Sequence, residues 1–341
     1  MSERIKSLLQ YFLLRLLLAP LSIAFVASIV FWLMRLTPGD PVDVILGVRA
    51  KPELKALLRE QMGLTGSLWE QYLRYGQDLW QLNLGQSLNN RATPVVEIIK
   101  NFFPATAELT LYAMVIALMI GVGLGLVTAQ GGAVAQGVGR IFSIVTYSLP
   151  LFWVGMLLQL SLGVNLGWFP IGTRFPVQMT PPVGITGMYT IDALLAGDWY
   201  KWAVSLHYLA LPAFSLGLGI SGIFERVVRV HLGRALQSDY VLAAKARGIP
   251  ATGILFNHAL RNALIPLVTI GGLTVASLLG GAVLTEVTFS FPGLANRLFE
   301  AIVARDYPVV QGIVIFFAVI VVIASISIDL INGWLDARIR Y

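Results

Sequence analysis

The chain has 341 residues, 57% of them hydrophobic and only 12% charged, with a mean hydropathy of +0.76 and a formal net charge of +6. Soluble domains carry about 25% charged residues and about 45–50% apolar ones. So few charges cannot cover a water-facing surface, so most of the surface must face lipid. The positive balance is spread over several connections, which excludes a concentrated nucleic-acid patch. The absence of Cys excludes disulfides, thiol nucleophiles and thiolate metal sites, and His207, His231 and His258 are too scattered to form a ligand motif.

A bilayer-spanning helix needs about 20 mostly apolar residues. In chain order, the segments 12–34, 107–128, 142–164, 206–222, 263–284 and 310–330 qualify. The first lies within an apolar run that is too long for the core of a cleavable signal, and no small-residue cleavage site follows it. Between the first two spans, residues 35–104 form the largest extramembrane region. There Pro52 opens and Gly63 closes a short helix, and a second covers 68–80 with Trp69, Tyr72, Leu73 and Leu79 as its apolar face. This reads as a small helical lid. The connection 166–201 is irregular, because it holds Pro170, Pro176, Pro181 and Pro182; its Trp168 and Trp199, with Trp202 just after, suit the aromatic belt of a membrane surface.

Orientation follows from Lys and Arg in the short connections. Arg4 and Lys6 lie before the first span, and Arg338 and Arg340 after the last. The connection 225–261 holds Arg226, Arg229, Arg234, Lys245, Arg247 and Arg261 against Glu225 and Asp239. All of them fall on one side if both termini are cytoplasmic, which puts the lid outside. The expected architecture is an all-α membrane protein of six transmembrane helices, N-in and C-in. Residues 1–34 are the tail and first helix, 35–104 the extracytoplasmic lid, and 105–341 a five-helix core with a cytoplasmic helix at 238–250.

Pro150, Pro212 and Pro266, with the run Gly121-Val-Gly-Leu-Gly125, Gly271-Gly272 and Gly280-Gly281, punctuate the spans. Small residues allow close helix packing, and prolines are tolerated where helices line a cavity. Ionisable residues in or near the spans are few: Arg15, Glu108, Glu286 and Asp329. All four lie within reach of a membrane surface on this reading, and no row of midplane carboxylates stands out. The motifs H-E-x-x-H, G-x-S-x-G and G-x-x-x-x-G-K-[ST] are missing, so no catalytic, cofactor or metal residues are assigned.

The segment Asp239-Tyr-Val-Leu-Ala-Ala-Lys-Ala-Arg-Gly248 reads as a short helix capped by Ser238 or Asp239 and stopped by Gly248, with Pro250 beyond. Such a thin, Ala-rich helix either lies in a groove on a partner or is a plain connection; the residues alone weigh these equally.

Ala243-Ala244-x-x-x-Gly248 resembles the EAA signature of ABC importer permeases, the element that docks on the ATPase. The longer string from Asp239 to Ile249, then His258-Ala-Leu-Arg-Asn-Ala-Leu-Ile-Pro266, is similar to the dipeptide/oligopeptide/nickel branch. Further likeness runs almost end to end: Thr37-Pro-Gly-Asp-Pro41, Leu84-Gly-Gln-Ser87, Tyr147-Ser-Leu-Pro-Leu-Phe-Trp153, Gly280-Gly-Ala-Val-Leu-Thr-Glu286, Phe289-Ser-Phe-Pro-Gly293, Arg305-Asp-Tyr-Pro308 and Leu335-Asp-Ala-Arg-Ile-Arg340. The lid resembles that of the B-type subunit. Leu242 departs from the general signature, which has Glu there, and the spacing from Gly248 to Pro266 is longer.

The resemblance implies a non-catalytic, multi-pass permease of the bacterial inner membrane, one half of the pathway of an ATP-driven, binding-protein-dependent importer of di- or oligopeptides. Nickel chelates or glutathione are the alternative cargoes. Implied partners are a second permease, two ATP-binding subunits that hold ATP and Mg, an extracytoplasmic solute-binding protein and membrane lipid, with no nucleic acid. Asp239, Tyr240, Ala243, Ala244, Lys245, Arg247 and Gly248 would couple to the ATPases, and Glu286, Phe291, Pro292 and Asp306 would form an outer gate. The rival classes are an ion-coupled carrier, which needs inverted repeats and midplane charges, and an intramembrane enzyme, which needs a nucleophile and base in the spans.

Overall fold

A computed structural model describes residues 3–335 except Pro38 and residues 90–92. Arg338 and Arg340, with the rest of the C-terminal motif after Leu335, lie outside the described residues, as does Pro38 of the motif at 37–41. Among the described residues there is no strand, only an isolated bridge between Gln86 and Pro94.

The elements in order are α1 (Glu3–Leu36), α2 (Pro41–Leu46), α3 (Pro52–Gln61), α4 (Leu68–Trp80), α5 (Val95–Gln130), α6 (Ala133–Ser148), α7 (Leu151–Leu158), α8 (Tyr189–Leu195), α9 (Trp199–Leu236), α10 (Asp239–Ala246), α11 (Ala251–Gly253), α12 (Leu260–Thr288), α13 (Leu294–Val303) and α14 (Tyr307–Leu335). A π-helical turn, Gln159–Asn165, extends α7, and another, Ile254–Ala259, joins α11 to α12.

Five of these segments are long and apolar enough to cross a bilayer: Phe12–Leu36, Val95–Gln130, Trp199–Leu236, Ala251–Thr288 and Tyr307–Gly333. The sixth expected segment, 142–164, is not straight. It belongs to a pair, Ala133–Ser148 and Leu151–Asn165, bent by 98°. The bend falls at Leu149-Pro150, where proline pushes the preceding residue out of the helical region; Leu149 has φ −79° and ψ 132°. Pro212 and Pro266, by contrast, sit inside continuous helices. The spanning helix α5 starts at Val95, ahead of the lid boundary drawn at Pro104, and runs through that proline.

Half of the apolar window of α9 is buried within the protein, against 17% of that of α1. Helix α9 is therefore the central post and α1 an edge helix. Close approach of α5 to α9 depends on glycine: a Cβ on Gly121 would meet the Ser221 carbonyl at 2.5 Å, and one on Gly125 would meet Val228 Cβ at 2.7 Å. Gly217 faces the Ala113 carbonyl in the same way. Such small-residue seams replace hydrophobic driving force where lipid is the solvent. Around them Leu109, Ala113, Leu216, Ile220, Phe224, Phe289 and Phe291 form the main core.

Helices α3 and α4 coincide with the two short helices expected between the first two spans. The capping box at Ser67 and Glu70 starts α4. Its inward face, however, is Gln71, Tyr72, Tyr75 and Leu79, whereas Trp69 and Leu73 point outward. Gln71 takes the inner position because its amide is used: Arg35 donates to its Oε1 at 2.9 Å, and its own N–H groups donate to the Leu64 and Gly66 carbonyls.

Candidate functional site

Helix α10 is eight residues long and is held by few of them. Ser238 occupies the N-cap position but makes no capping bond; its hydroxyl donates back to the Ala235 carbonyl. The expected side-chain cap is therefore absent, because that hydroxyl closes the end of α9 instead. At the other end the Gly248 N–H donates to Lys245 O at 2.9 Å and the Ile249 N–H to Ala244 O at 3.2 Å. This pair of bonds is the Schellman closure, and it requires Gly248 in the left-handed region, where its φ is +74°.

Val241 and Ala244 are the buried residues of α10, and they pack with Ile254 and Ile249. The Asn262 side chain donates to the Tyr240 hydroxyl, which adds a tie to the start of α12. Asp239, Tyr240, Leu242, Ala243, Lys245, Ala246, Arg247 and Gly248 are exposed. Of the seven expected coupling residues, then, six are exposed, Tyr240 with its hydroxyl bonded to Asn262, and Ala244 is buried. The π-helical turn that receives Ala244 also packs, through Leu255 and Ala259, against Val228, Leu232 and Ala235 of α9. Through this turn and through Asn262, α10 is in contact with elements that pack on α9 and lead into α12.

Five carboxylates are buried elsewhere among the described residues, each with several donors; one of them, Asp192, accepts within its own connection from the Ile185, Thr186 and Gly187 N–H groups and the Thr186 hydroxyl. Glu225 of α9 is fully buried and accepts from Thr128 Oγ1 at 2.8 Å, from the Ser143 hydroxyl and from Arg229 Nε at 2.8 Å, tying α5, α6 and α9 at the α10 end of the bundle. Gly139 lets α6 approach, because a Cβ there would strike this carboxylate. At the opposite end Glu108 accepts from Arg174 Nη2 at 2.6 Å and Nε at 3.1 Å, and from the Thr190 N–H and hydroxyl at 2.7 Å each. Glu286 accepts from Thr106 Oγ1 at 2.6 Å and the Asn296 N–H at 2.7 Å. Asp306 accepts from Ser87 Oγ at 2.6 Å and from the Leu88 and Asn89 N–H groups.

The expected gate residues do not form one cluster. Glu286 and Phe291 share a turn, with the Phe291 N–H on the Glu286 carbonyl at 2.8 Å, and both are fully buried. Pro292 is exposed beside them, and Asp306 belongs to the separate network with Ser87. Arg15 pairs with Asp329 at 3.1 Å, so the first and last spans also share a charge contact.

Sequence reasoning placed Glu225 in the connection that follows the fourth span, whereas it is buried within α9, and it passed over Arg174. Glu225-x-x-x-Arg229 has the i,i+4 spacing of a helical ion pair, a signal present in the chain. Arg174 sits in a proline-rich connection, where nothing local points to Glu108. It also passed over a cavity of about 820 Å³ between α6 and α9, lined by Arg140, Ser143, Tyr147, Arg226 and Arg229. Among the described residues, no group of three His, Asp or Glu is placed to hold a metal ion.

Comparison with known proteins identifies the family of the chain. Residues 121–341 match the family described as "Binding-protein-dependent transport system inner membrane component", and residues 8–110 match its N-terminal counterpart. The chain is 37% identical over 335 residues to the dipeptide transport system permease protein DppB of Alkalihalophilus pseudofirmus, covering 98% of this chain and 100% of that one. It is 39% identical over 321 residues to the di/tripeptide permease DppB of Pseudomonas aeruginosa, covering 93% and 94%. To the oligopeptide permease AppB of Bacillus subtilis it is 32% identical over 312 residues, covering 91% and 93%. A helical bundle with these spans, matched over nearly its whole length, belongs to the inner-membrane permease family of binding-protein-dependent transport systems.

Proposed function

We propose that the chain is one of two permease subunits of an ATP-driven importer whose cargo is a di- or oligopeptide. Six spans, the bent α6–α7 pair counting as one, would place both termini and α10 in the cytoplasm and α2–α4 with α13 on the outer face. A solute-binding protein would deliver cargo at that outer end, near Glu286, Phe291, Pro292 and Asp306. Two ATP-binding subunits would hold ATP and Mg²⁺ and grip α10. The chain itself would contribute binding, packing and movement rather than bond-making chemistry.

The observation that carries the coupling role is α10 itself: six exposed candidate residues on a helix whose only buried anchors lead into α9 and α12. A partner shifts a conformational equilibrium only through contacts that differ between the two states, and this helix offers such contacts without disturbing the core. The peptide cargo rests on the names of relatives matched over more than nine-tenths of the chain. The cavity lined by Arg140, Arg226 and Arg229 would form a basic wall of the inner half of the pathway.

The test is affinity purification of the tagged chain in mild detergent, with mass spectrometry of what it retains and of ligand stripped from any binding protein. A second permease, ATP-binding subunits and a bound peptide are the expected result. A chain that purifies alone and moves solute in vesicles without ATP contradicts the proposal, and a bound nickel chelate or glutathione contradicts the cargo.

A further inference from the structure

Five buried side-chain polar atoms have no hydrogen-bond partner among the described residues, and three of them, Arg35 Nη1, Tyr75 Oη and Gln311 Nε2, belong to residues lining one cavity. This cavity of about 160 Å³ lies between the end of α1, the lid helix α4 and the start of α14. Gln311 is only 6% exposed. Arg35 is in the last turn of α1 and forms no ion pair among the described residues. Its guanidinium lies 3.7 Å from the Phe31 ring centroid, 5.8 Å from that of Tyr307, and donates once, to Gln71. Arg74 and Asp78, both exposed, complete the charged groups at the rim.

The donor set has a clear preference. A guanidinium N–H and an amide N–H are donors only, and the phenol can donate as well. Arg35 is half-buried, and Asp78, the carboxylate at this cavity, is exposed at the rim and forms no ion pair with it among the described residues; partial burial of an unpaired cation is costly, and a ring face offsets only part of that cost. Water would satisfy the hydrogen bonds but leave the charge. A small oxyanion supplies both lone pairs and charge, and charge-assisted bonds of this type are about twice as strong as neutral ones. The volume admits an acetate-sized ion with a few waters and is too small for a peptide.

We propose that this cavity is a binding site for a free small carboxylate, which neutralises Arg35 and clamps the lid helix α4 onto α1 and α14. The site is distinct from the coupling helix and adjoins the Asp306 network through Leu88, and it makes the lid sensitive to small anions in its surroundings.

The test is hydrogen exchange of the backbone amides of Leu68–Trp80 in the purified full chain, with whatever subunits it retains, as acetate replaces a bulky excluded anion at constant ionic strength. At acetate about ten times its dissociation constant, exchange should slow about tenfold. Tyr75→Phe and Gln311→Leu keep the Arg35 charge, and each should weaken acetate binding about ten- to hundredfold, the loss expected for one hydrogen bond to a charged group. Arg35→Met should abolish it. Exchange that ignores acetate in the wild-type chain, or an acetate response that persists unchanged in Arg35→Met, overturns the site; an equal response in Tyr75→Phe and Gln311→Leu removes the cavity from the account.

Discussion

Helices α13 and α10 are similar in length, 10 and 8 residues, and both flank α12, one at each end. They are therefore separated by the length of that helix, about 43 Å for 29 residues at 1.5 Å each. Helix α13 buries Leu294, Ala295, Leu298 and Ala301. Its first turn is held by Thr106, which accepts from the Leu294 N–H, and by Glu286, which accepts from the Asn296 N–H. Helix α10 buries two residues and has no side-chain cap, and its charges Asp239, Lys245 and Arg247 make no ion pair among the described residues. Helix α13 thus has its first turn tied to neighbouring helices by buried polar groups. Helix α10 leaves its own charged groups on the surface, although the buried Glu225 network lies at the same end of the bundle, and this is the pattern expected of an element completed by a partner.

The comparison can be broken first at the α13 end of the bundle. Arg174→Met would strand the Glu108 carboxylate in a buried site, and loss of one partner of such a pair costs about 3–5 kcal/mol. Thermal unfolding in detergent measures this, and a loss under about 1 kcal/mol would mean that the pair behaves as an exposed one. Thr106→Val removes the hydroxyl shared by Glu286 and Leu294, for about 1–3 kcal/mol. Amide exchange should quicken in Leu294–Val303 and stay unchanged in Asp239–Ala246; equal quickening would mean the two ends are not independent.

The same comparison is sharpened at α10. Replacing both Lys245 and Arg247 by Glu should change stability by less than about 0.5 kcal/mol, as exposed sites do. Retention of ATP-binding subunits should nevertheless fall, with a salt dependence that the wild type shows less. Retention unaffected by the double change would remove these charges from the partner surface.

The smallest effect is expected in the segment from α2 to α4. Burial alone raises the Asp40 carboxyl, but the hydrogen bond and charge of Arg59, with the Val42 N–H and Lys55, bring it below its ordinary 3.8. A depressed carboxylate stabilises the fold above its unfolded value and loses that contribution as pH falls through the folded one. Protection of the amides of residues 42–46 should be flat near neutrality and decline only below about pH 4. Asp40→Asn should remove that acid limb.

Much of this architecture was legible because the long apolar runs have no soluble alternative, and because Pro52, Gly63 and Gly248 punctuate short helices in the manner their backbone preferences dictate. The 98° bend was half-visible: Leu149-Pro150 carries the known bias against helix, yet Pro212 and Pro266 carry the same bias inside unbroken helices. Packing against neighbours decides between them, and a single sequence does not display its neighbours. The partner of Glu108 was hidden for the same reason, since Arg174 lies 66 positions away in an irregular connection. Ser238 misled in a different way, because a cap residue between two helices has two ends it can serve.

The central claim is that α10 transmits movement from ATP-binding subunits to α9 and α12. Gly248→Val tests it most directly, since a β-branched residue is strained at φ +74° while no neighbouring atom lies within 4 Å of a Cβ built there. ATP hydrolysis and peptide uptake should be measured together in vesicles carrying the whole importer. Hydrolysis that continues while uptake is lost is the predicted result. Uptake at the wild-type rate per ATP would contradict the account.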